Sequence, residues 1–169
     1  MNVALFGFMG VGKTTVGRLL AESLGYSFVD TDTEIERMSG MAVSDVFSSK
    51  GEPVFREMEK VAIRRISALD QQVISCGGGI VIDPENTSQL KRSSRMVLLT
   101  ASPSEILKRV NGDSRPLLEF PDRERRVRDL LETRREAYLS AAELVLDTDC
   151  HTPREVAETI TKWLEVNNH

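Results

Sequence analysis

The 169-residue chain reads as an α/β protein: a three-layer α/β/α arrangement on a central five-stranded parallel sheet. Three observations predict this. Five short apolar runs recur along the chain, helical spacing returns between them, and the first run passes directly into a glycine-rich loop that opens a helix. Such alternation suits a parallel sheet, because each crossover must carry the chain back along one face of the sheet.

The apolar runs lie at residues 3–6, 26–29, 72–75, 96–99 and 143–146. Each is bounded by polar or glycine residues and reads as apolar on both faces, as strands covered from both sides do. Between them, Val16, Leu19, Leu20 and Leu24 share one helical face, and Val156, Ile160, Trp163 and Leu164 share another. Ser102-Pro103-Ser104-Glu105 and Thr152-Pro153-Arg154-Glu155 read as capping boxes with proline at the first helical position, and Asp83-Pro84 marks a third helix start. Residues 31–70 predict two successive helices, broken near Gly40 and Gly51-Glu52-Pro53. That is too much helix for one crossover, so a small helical subdomain standing off the sheet is expected there. Residues 111–122, NGDSRPLLEFPD, form a long stretch without periodicity, as a lid would. The whole of 1–169 is expected to be a single domain.

The formal net charge of −4 argues against a general nucleic-acid or anionic-membrane binder, so any bound anion must be held by a local cluster of positive groups. Cys76 and Cys150 are far apart and form no CxxC pair, which argues against a disulfide framework or a zinc site. The apolar start lacks a basic segment before it and a small-residue cleavage site after it, and no run reaches membrane-spanning length. A soluble cytoplasmic protein is the expectation.

The glycine-rich stretch is Gly7-Phe8-Met9-Gly10-Val11-Gly12-Lys13-Thr14-Thr15. It fits GxxxxGK[ST] at every fixed position, after a predicted strand and at the start of a predicted helix. Amides from Gly10 to Thr15 can ring a phosphate where side chains are absent, and the helix N-terminus adds its positive end. Lys13 is expected to bridge the outer phosphates and Thr14 to ligate Mg²⁺ directly. The glycine spacing is not that of a dinucleotide loop. No NKxD-like base-reading motif and no LSGGQ-like signature follows, so a small-molecule kinase with a closing lid is favoured over a GTPase or an ABC-type ATPase.

Two further stretches sit at carboxyl ends of predicted strands, where open parallel sheets bind ligands. Asp30-Thr31-Asp32 offers one carboxylate to hold water on the metal and another to accept from an attacking hydroxyl; a plain helix cap explains the same residues. Cys76-Gly77-Gly78-Gly79 suggests close approach by a ligand, or a flexible turn.

Taken together, the glycine-rich loop, Asp30-Thr31-Asp32, Gly51-Glu52 with Phe55-Arg56, Gly77-Gly78-Gly79, Arg115-Pro116-Leu117-Leu118 and Arg134 with Tyr138 resemble the shikimate kinase family, in order and nearly in spacing. The resemblance implies an enzyme of the shikimate pathway that transfers the ATP γ-phosphoryl to the 3-hydroxyl of shikimate. It implies that Asp32 holds the shikimate hydroxyls and serves as base, that Arg56 and Arg134 hold the carboxylate, and that Glu59 supports Arg56. Gly77, Gly78 and Gly79 line the acceptor, the last two offering amides. Arg115 swings over the phosphates, Asp30 reaches Mg²⁺ through water, and Arg109 and Pro153 sandwich adenine. Kinases of gluconate or of a nucleoside monophosphate, and a non-catalytic nucleotide-binding relative, are the alternatives. The GE..FR and RPLL stretches disfavour the first two, and the presence of Lys13, Asp32 and Arg115 disfavours the third. No apolar stripe is left unassigned, so a monomer without nucleic-acid or membrane partners is expected.

Overall fold

Strand β1 (Asn2–Phe6) is buried along its whole length, because it lies at the middle of the sheet. In the computed structural model, which describes residues 1–110 and 122–167, five parallel strands take the order β2-β3-β1-β4-β5. The others are β2 (Ser27–Asp30), β3 (Gln72–Ser75), β4 (Ser94–Thr100) and β5 (Leu144–Asp147). The helices are α1 (Lys13–Leu24), α2 (Thr31–Ser39), α3 (Val43–Lys50), α4 (Glu52–Ser67), α5 (Pro84–Ser93), α6 (Pro103–Arg109), α7 (Arg123–Ala141) and α8 (Pro153–Asn167), with a 3₁₀ turn at Ile80–Ile82. Apart from Asp122, the expected lid with Arg115 lies outside the described residues.

The strand order dictates the layers. Right-handed crossovers put α1 on one face, because β1 to β2 runs one way along the sheet, and α4, α5 and α7 on the other, because later crossovers run back. Helix α8 then packs on α1 and closes the first face. The result is the three-layer α/β/α fold. The expectation that all five strands are buried on both faces holds for β1, β3 and the 96–99 run of β4, while β2 is partly exposed and β5 alternates, with Val145 47% exposed. β2 and β5 are the two edge strands, where the helices on the two faces cover the side chains less completely than at the centre.

Residues 31–70 form three helices where the sequence spacing predicts two. Helix α2 stops at Gly40, and α3 stops at Gly51, from which α4 starts at once through Glu52-Pro53. Eight residues of α3 are too few to show a periodic stripe, which is why the spacing merged them with a neighbour. These helices have their own apolar cluster of Ile35, Val46, Phe55 and Ala62, with the Phe47 and Phe55 rings 4.4 Å apart. Helix α4 ties that cluster to the sheet, since Ile63 and Ile66 belong to the main core.

The predicted helix starts carry the expected caps to different degrees. At α8 the box is reciprocal: the Glu155 amide donates to Thr152 Oγ1 (3.2 Å) and the Thr152 amide to Glu155 Oε2 (2.7 Å). At α6 only the Ser102 hydroxyl accepts, from the Glu105 amide; the Ser102 amide donates instead to Asp149, across from the end of β5.

Candidate active site

The sheet sets the site at the carboxyl ends of its strands. From β1 the chain turns through the glycine-rich loop into α1, and the loop uses backbone angles that side chains disfavour: φ is +79° at Gly10 and +97° at Gly12. A Cβ on Gly10 would also lie 2.8 Å from Val110, whereas nothing crowds Gly12, so the torsion alone selects glycine there. Lys13 folds back over the loop and donates from Nζ to the carbonyls of Gly7 and Phe8, both at 2.9 Å. Thr14 and Thr15 stand exposed in the first turn of α1, beside a helix N-terminus open to an anion.

Next to this cradle, β2 and β3 end side by side. Asp30 caps α2, with Oδ1 accepting from the amides of Asp32 (2.9 Å) and Thr33 (3.3 Å). The buried Thr31 hydroxyl accepts from the Gly77 amide at 2.8 Å and so stitches the two strand ends together. The Asp-Thr-Asp stretch is thus a helix cap and a strand clamp that leaves Asp32 projecting over Gly77.

The glycine triplet has a physical explanation that the sequence did not supply. None of its members has positive φ; at each, a charged side chain occupies the space a Cβ would take, so a larger residue would push that side chain aside. At Gly77 that carbon would sit 2.9 Å from Asp32 Oδ1, and at Gly78 it would be 3.1 Å from Arg134 Nη1. At Gly79 it would be 2.9 Å from Arg56 Cζ. The expected close approach by a ligand is, in this structure, an approach by Asp32, Arg134 and Arg56, which the triplet gathers in one row. Gly78 also adjoins the phosphate loop, the same imagined carbon being 3.7 Å from the Gly7 carbonyl oxygen.

Each arginine is held from behind. Arg56 donates to Glu59 Oε2 (2.8 Å) and Glu52 Oε1 (3.1 Å). Burial works against its charge, but the two carboxylates outweigh it and raise its pKa. Glu59 is itself buried, and burial, aided by the charge of Asp32, pushes its carboxyl above the ordinary value despite the pull of Arg56 and Arg134. Arg134 is almost fully buried for an arginine and lies over the Phe8 ring, 5.7 Å from its centroid. One turn later on α7, Tyr138 donates its hydroxyl to the Gly78 carbonyl at 2.6 Å and meets Phe6 edge-on. Burial raises the Tyr138 pKa, so the phenol remains a donor. Cys76, before the triplet, is fully buried with its thiol pushed up to about 12 by burial, which makes it a packing group.

On the opposite side of β1, Arg109 at the end of α6 donates to Thr148 Oγ1 (3.0 Å), the Thr148 carbonyl (3.0 Å) and the Gly10 carbonyl (3.3 Å). Pro153 is exposed at the start of α8. Among the described residues, then, Asp32, Arg56 and Arg134 come together at the triplet, next to the loop over which Lys13 folds, while Arg109 flanks the loop from the other side. Sequence reasoning assigned no role to Thr31 or Thr148 and used Tyr138 only as part of a motif. A helical spacing of four from Arg134 would have placed Tyr138 on the same face; Thr148 left no local signal.

A phosphate loop after the central strand, with an arginine–carboxylate cleft beside it, defines a P-loop small-molecule kinase. A profile of shikimate kinases matches residues 9–165, and the chain belongs to the shikimate kinase family. It is 45% identical over 169 residues to the shikimate kinase of Moorella thermoacetica, covering 97% of this chain and 96% of that one. It is 43% identical over 162 residues to that of Caldanaerobacter subterraneus subsp. tengcongensis, covering 95% and 94%. Among solved structures it resembles shikimate kinase from Acinetobacter baumannii in complex with shikimate, with a TM-score of 0.95, 36% identity, and 98% and 93% of the two chains covered. The shikimate kinase of Aquifex aeolicus gives a TM-score of 0.83 at 33% identity, with 99% and 98% covered.

Proposed function

We propose that this kinase transfers the γ-phosphoryl group of ATP to the 3-hydroxyl of shikimate, giving shikimate 3-phosphate and ADP. The observation that carries the reading is the row formed by Asp32, Arg134 and Arg56 against Gly77, Gly78 and Gly79, next to the phosphate loop. A hydroxylated ring acid needs cations for its carboxylate and an acceptor for its hydroxyls. Two arginine forks and one carboxylate supply both, and a guanidinium matches a carboxylate through paired N–H bonds.

In this reading Arg56 and Arg134 fix the carboxylate and Asp32 orients the 3-hydroxyl toward the γ-phosphorus. The new bond joins the hydroxyl oxygen to that phosphorus, the bond to the β,γ-bridging oxygen breaks, and Asp32 accepts the hydroxyl proton. Lys13 leaves the Gly7 and Phe8 carbonyls for the outer phosphates, where its charge counts most in the transition state. Arg115, from the proposed lid at 111–122, adds a second positive charge, and closure excludes water that would otherwise hydrolyse ATP. Arg109 and Pro153 hold the adenine. Residues 31–70 serve as the acceptor-binding insertion of a single 1–169 domain.

The donor set suits Mg²⁺ brought in with the nucleotide. Among the described residues no group of three or more His, Cys, Asp or Glu could hold a metal, as fits a hard ion kept largely by phosphate oxygens and water. Thr14 would ligate it through its hydroxyl and Asp30 through water, with Oδ2 free of the cap that occupies Oδ1. When bound, the ion neutralises phosphate charge. No described helix is long and apolar enough to cross a membrane; in this reading the enzyme is a cytoplasmic monomer acting on small molecules. The test is ADP release from Mg·ATP by the purified protein with shikimate, gluconate or AMP. Shikimate alone should give turnover and a phosphorylated product by mass spectrometry; turnover with another acceptor, or none with shikimate despite nucleotide binding, would overturn the reading.

A further inference from the structure

We infer that Thr148 is a positioning residue for the phosphate cradle: together with Arg109 it pins two consecutive loop carbonyls outward and so aims the Val11 and Gly12 amides at the nucleotide. The inference rests on the proposed donor site. Thr148 follows β5, is 4% exposed, and contacts three separate parts of the chain. Its Oγ1 lies 3.1 Å from the Val11 carbonyl oxygen, 3.0 Å from the Thr100 carbonyl oxygen and 3.0 Å from Arg109 Nη1.

A hydroxyl has one proton to give, and the neighbours limit its destination. Arg109 can only donate, so it takes a lone pair of Oγ1. The Thr100 carbonyl already accepts from the Thr148 amide at 2.9 Å. That carbonyl keeps a second lone pair, so the proton reaches either it (3.0 Å) or the Val11 carbonyl (3.1 Å), and the charged guanidinium behind the hydroxyl strengthens whichever bond forms, the Val11 one included. The same guanidinium donates to the preceding carbonyl, that of Gly10, at 3.3 Å.

Two pinned carbonyls fix two amides. No described peptide bond is cis, and in a trans peptide the C=O of one residue points away from the N–H of the next. With the Gly10 carbonyl turned toward Arg109, the Val11 N–H faces the cradle. With the Val11 carbonyl turned toward Thr148, the Gly12 N–H does the same. Glycine at 10 and 12 leaves these peptide planes free to rotate, so something outside the loop must set them.

The test compares Thr148→Val with Thr148→Ser by ADP calorimetry and by steady-state kinetics in ATP and shikimate. Removing the hydroxyl should raise the ADP Kd and the ATP KM about tenfold, leave the shikimate KM unchanged, and be reversed in the serine variant. Thr148→Ala, which removes the hydroxyl without setting a methyl against the carbonyls, gives the same readout should the valine variant not fold. Wild-type nucleotide affinity in the hydroxyl-free variants would overturn the inference, as would an equal rise in the shikimate KM. A wild-type protein that turns over no ATP and binds no ADP would instead remove the donor-site reading on which it rests.

Discussion

A methyl group on Gly79 would come within 2.9 Å of Arg56 Cζ, and the flexible arginine, not the backbone entering the 3₁₀ turn, is what can give way. Gly79→Ala should therefore displace the Arg56 fork and raise the shikimate KM by one to two orders of magnitude with the ATP KM little changed; an unaltered shikimate KM would count against the packed row. Glu59 gives a second test at this scale. Its folded pKa lies above the 4.5 of the free group, chiefly through burial. The native state thus binds this proton more tightly than the unfolded chain does. The stability it contributes is full below pH 4.5 and is lost as pH rises through the folded pKa. Glu59→Gln has no such proton, so its urea-unfolding free energy should gain on that of the wild type between pH 4.5 and neutrality. Parallel curves would refute the assignment. The contacts of Thr31 and Thr148 were illegible in the sequence because their partners lie 46 and 137 positions away, and no spacing rule spans such distances; Tyr138 could be placed beside Arg134 by helical spacing, but its Gly78 partner, 60 positions away, could not.

Among the elements, α4 joins the small apolar core to the proposed acceptor site. Phe55 fills the small core against Phe47, and the next residue, Arg56, lies over the Phe55 ring at 5.4 Å. Phe55→Ala should cost about 3–5 kcal/mol and, since Arg56 loses its platform, raise the shikimate KM as well. A loss of stability with an unchanged shikimate KM would show that α4 positions Arg56 without the ring. Legibility at this scale depended on local signals. The glycine-rich loop, β3 and the start of α8 were read from contiguous residues, because torsion and capping are short-range properties. The split of 31–70 into three helices was not, since α3 exists by virtue of Val46 packing against Ile35, Phe55 and Ala62. Likewise, the Asp149 carboxylate takes the Ser102 amide from Glu105, and no local pattern announces a contact between two strand ends.

For the whole molecule, the two cysteines report on different events. Cys76 is fully buried just past the end of β3 and against β1, its amide bonded to the Leu5 carbonyl at 2.9 Å and its thiol pushed up to about 12, whereas Cys150 is exposed. Alkylation with iodoacetamide at neutral pH should modify Cys150 alone in the native protein, and Cys76 only as β1 and β3 part. Saturating Mg·ADP should slow the second reaction by stabilising the folded state. Equal labelling of both thiols in native buffer, followed by mass spectrometry, would contradict the packing described for β3.

The sheet order puts β1 between two flanks. On one side β2 and β3 present Asp32 and the glycine row; on the other β4 and β5 present Thr100, Thr148 and, through α6, Arg109. Among the described elements, α7 reaches across, bringing Arg134 and Tyr138 to Gly78. This separation makes the architecture easy to inherit in halves. Under the proposed site assignments, a duplicated copy of such a gene can drift toward a new alcohol by altering α2 to α4, the residues after β3 and one turn of α7, while the residues proposed to grip the phosphate donor pass unchanged to its descendants.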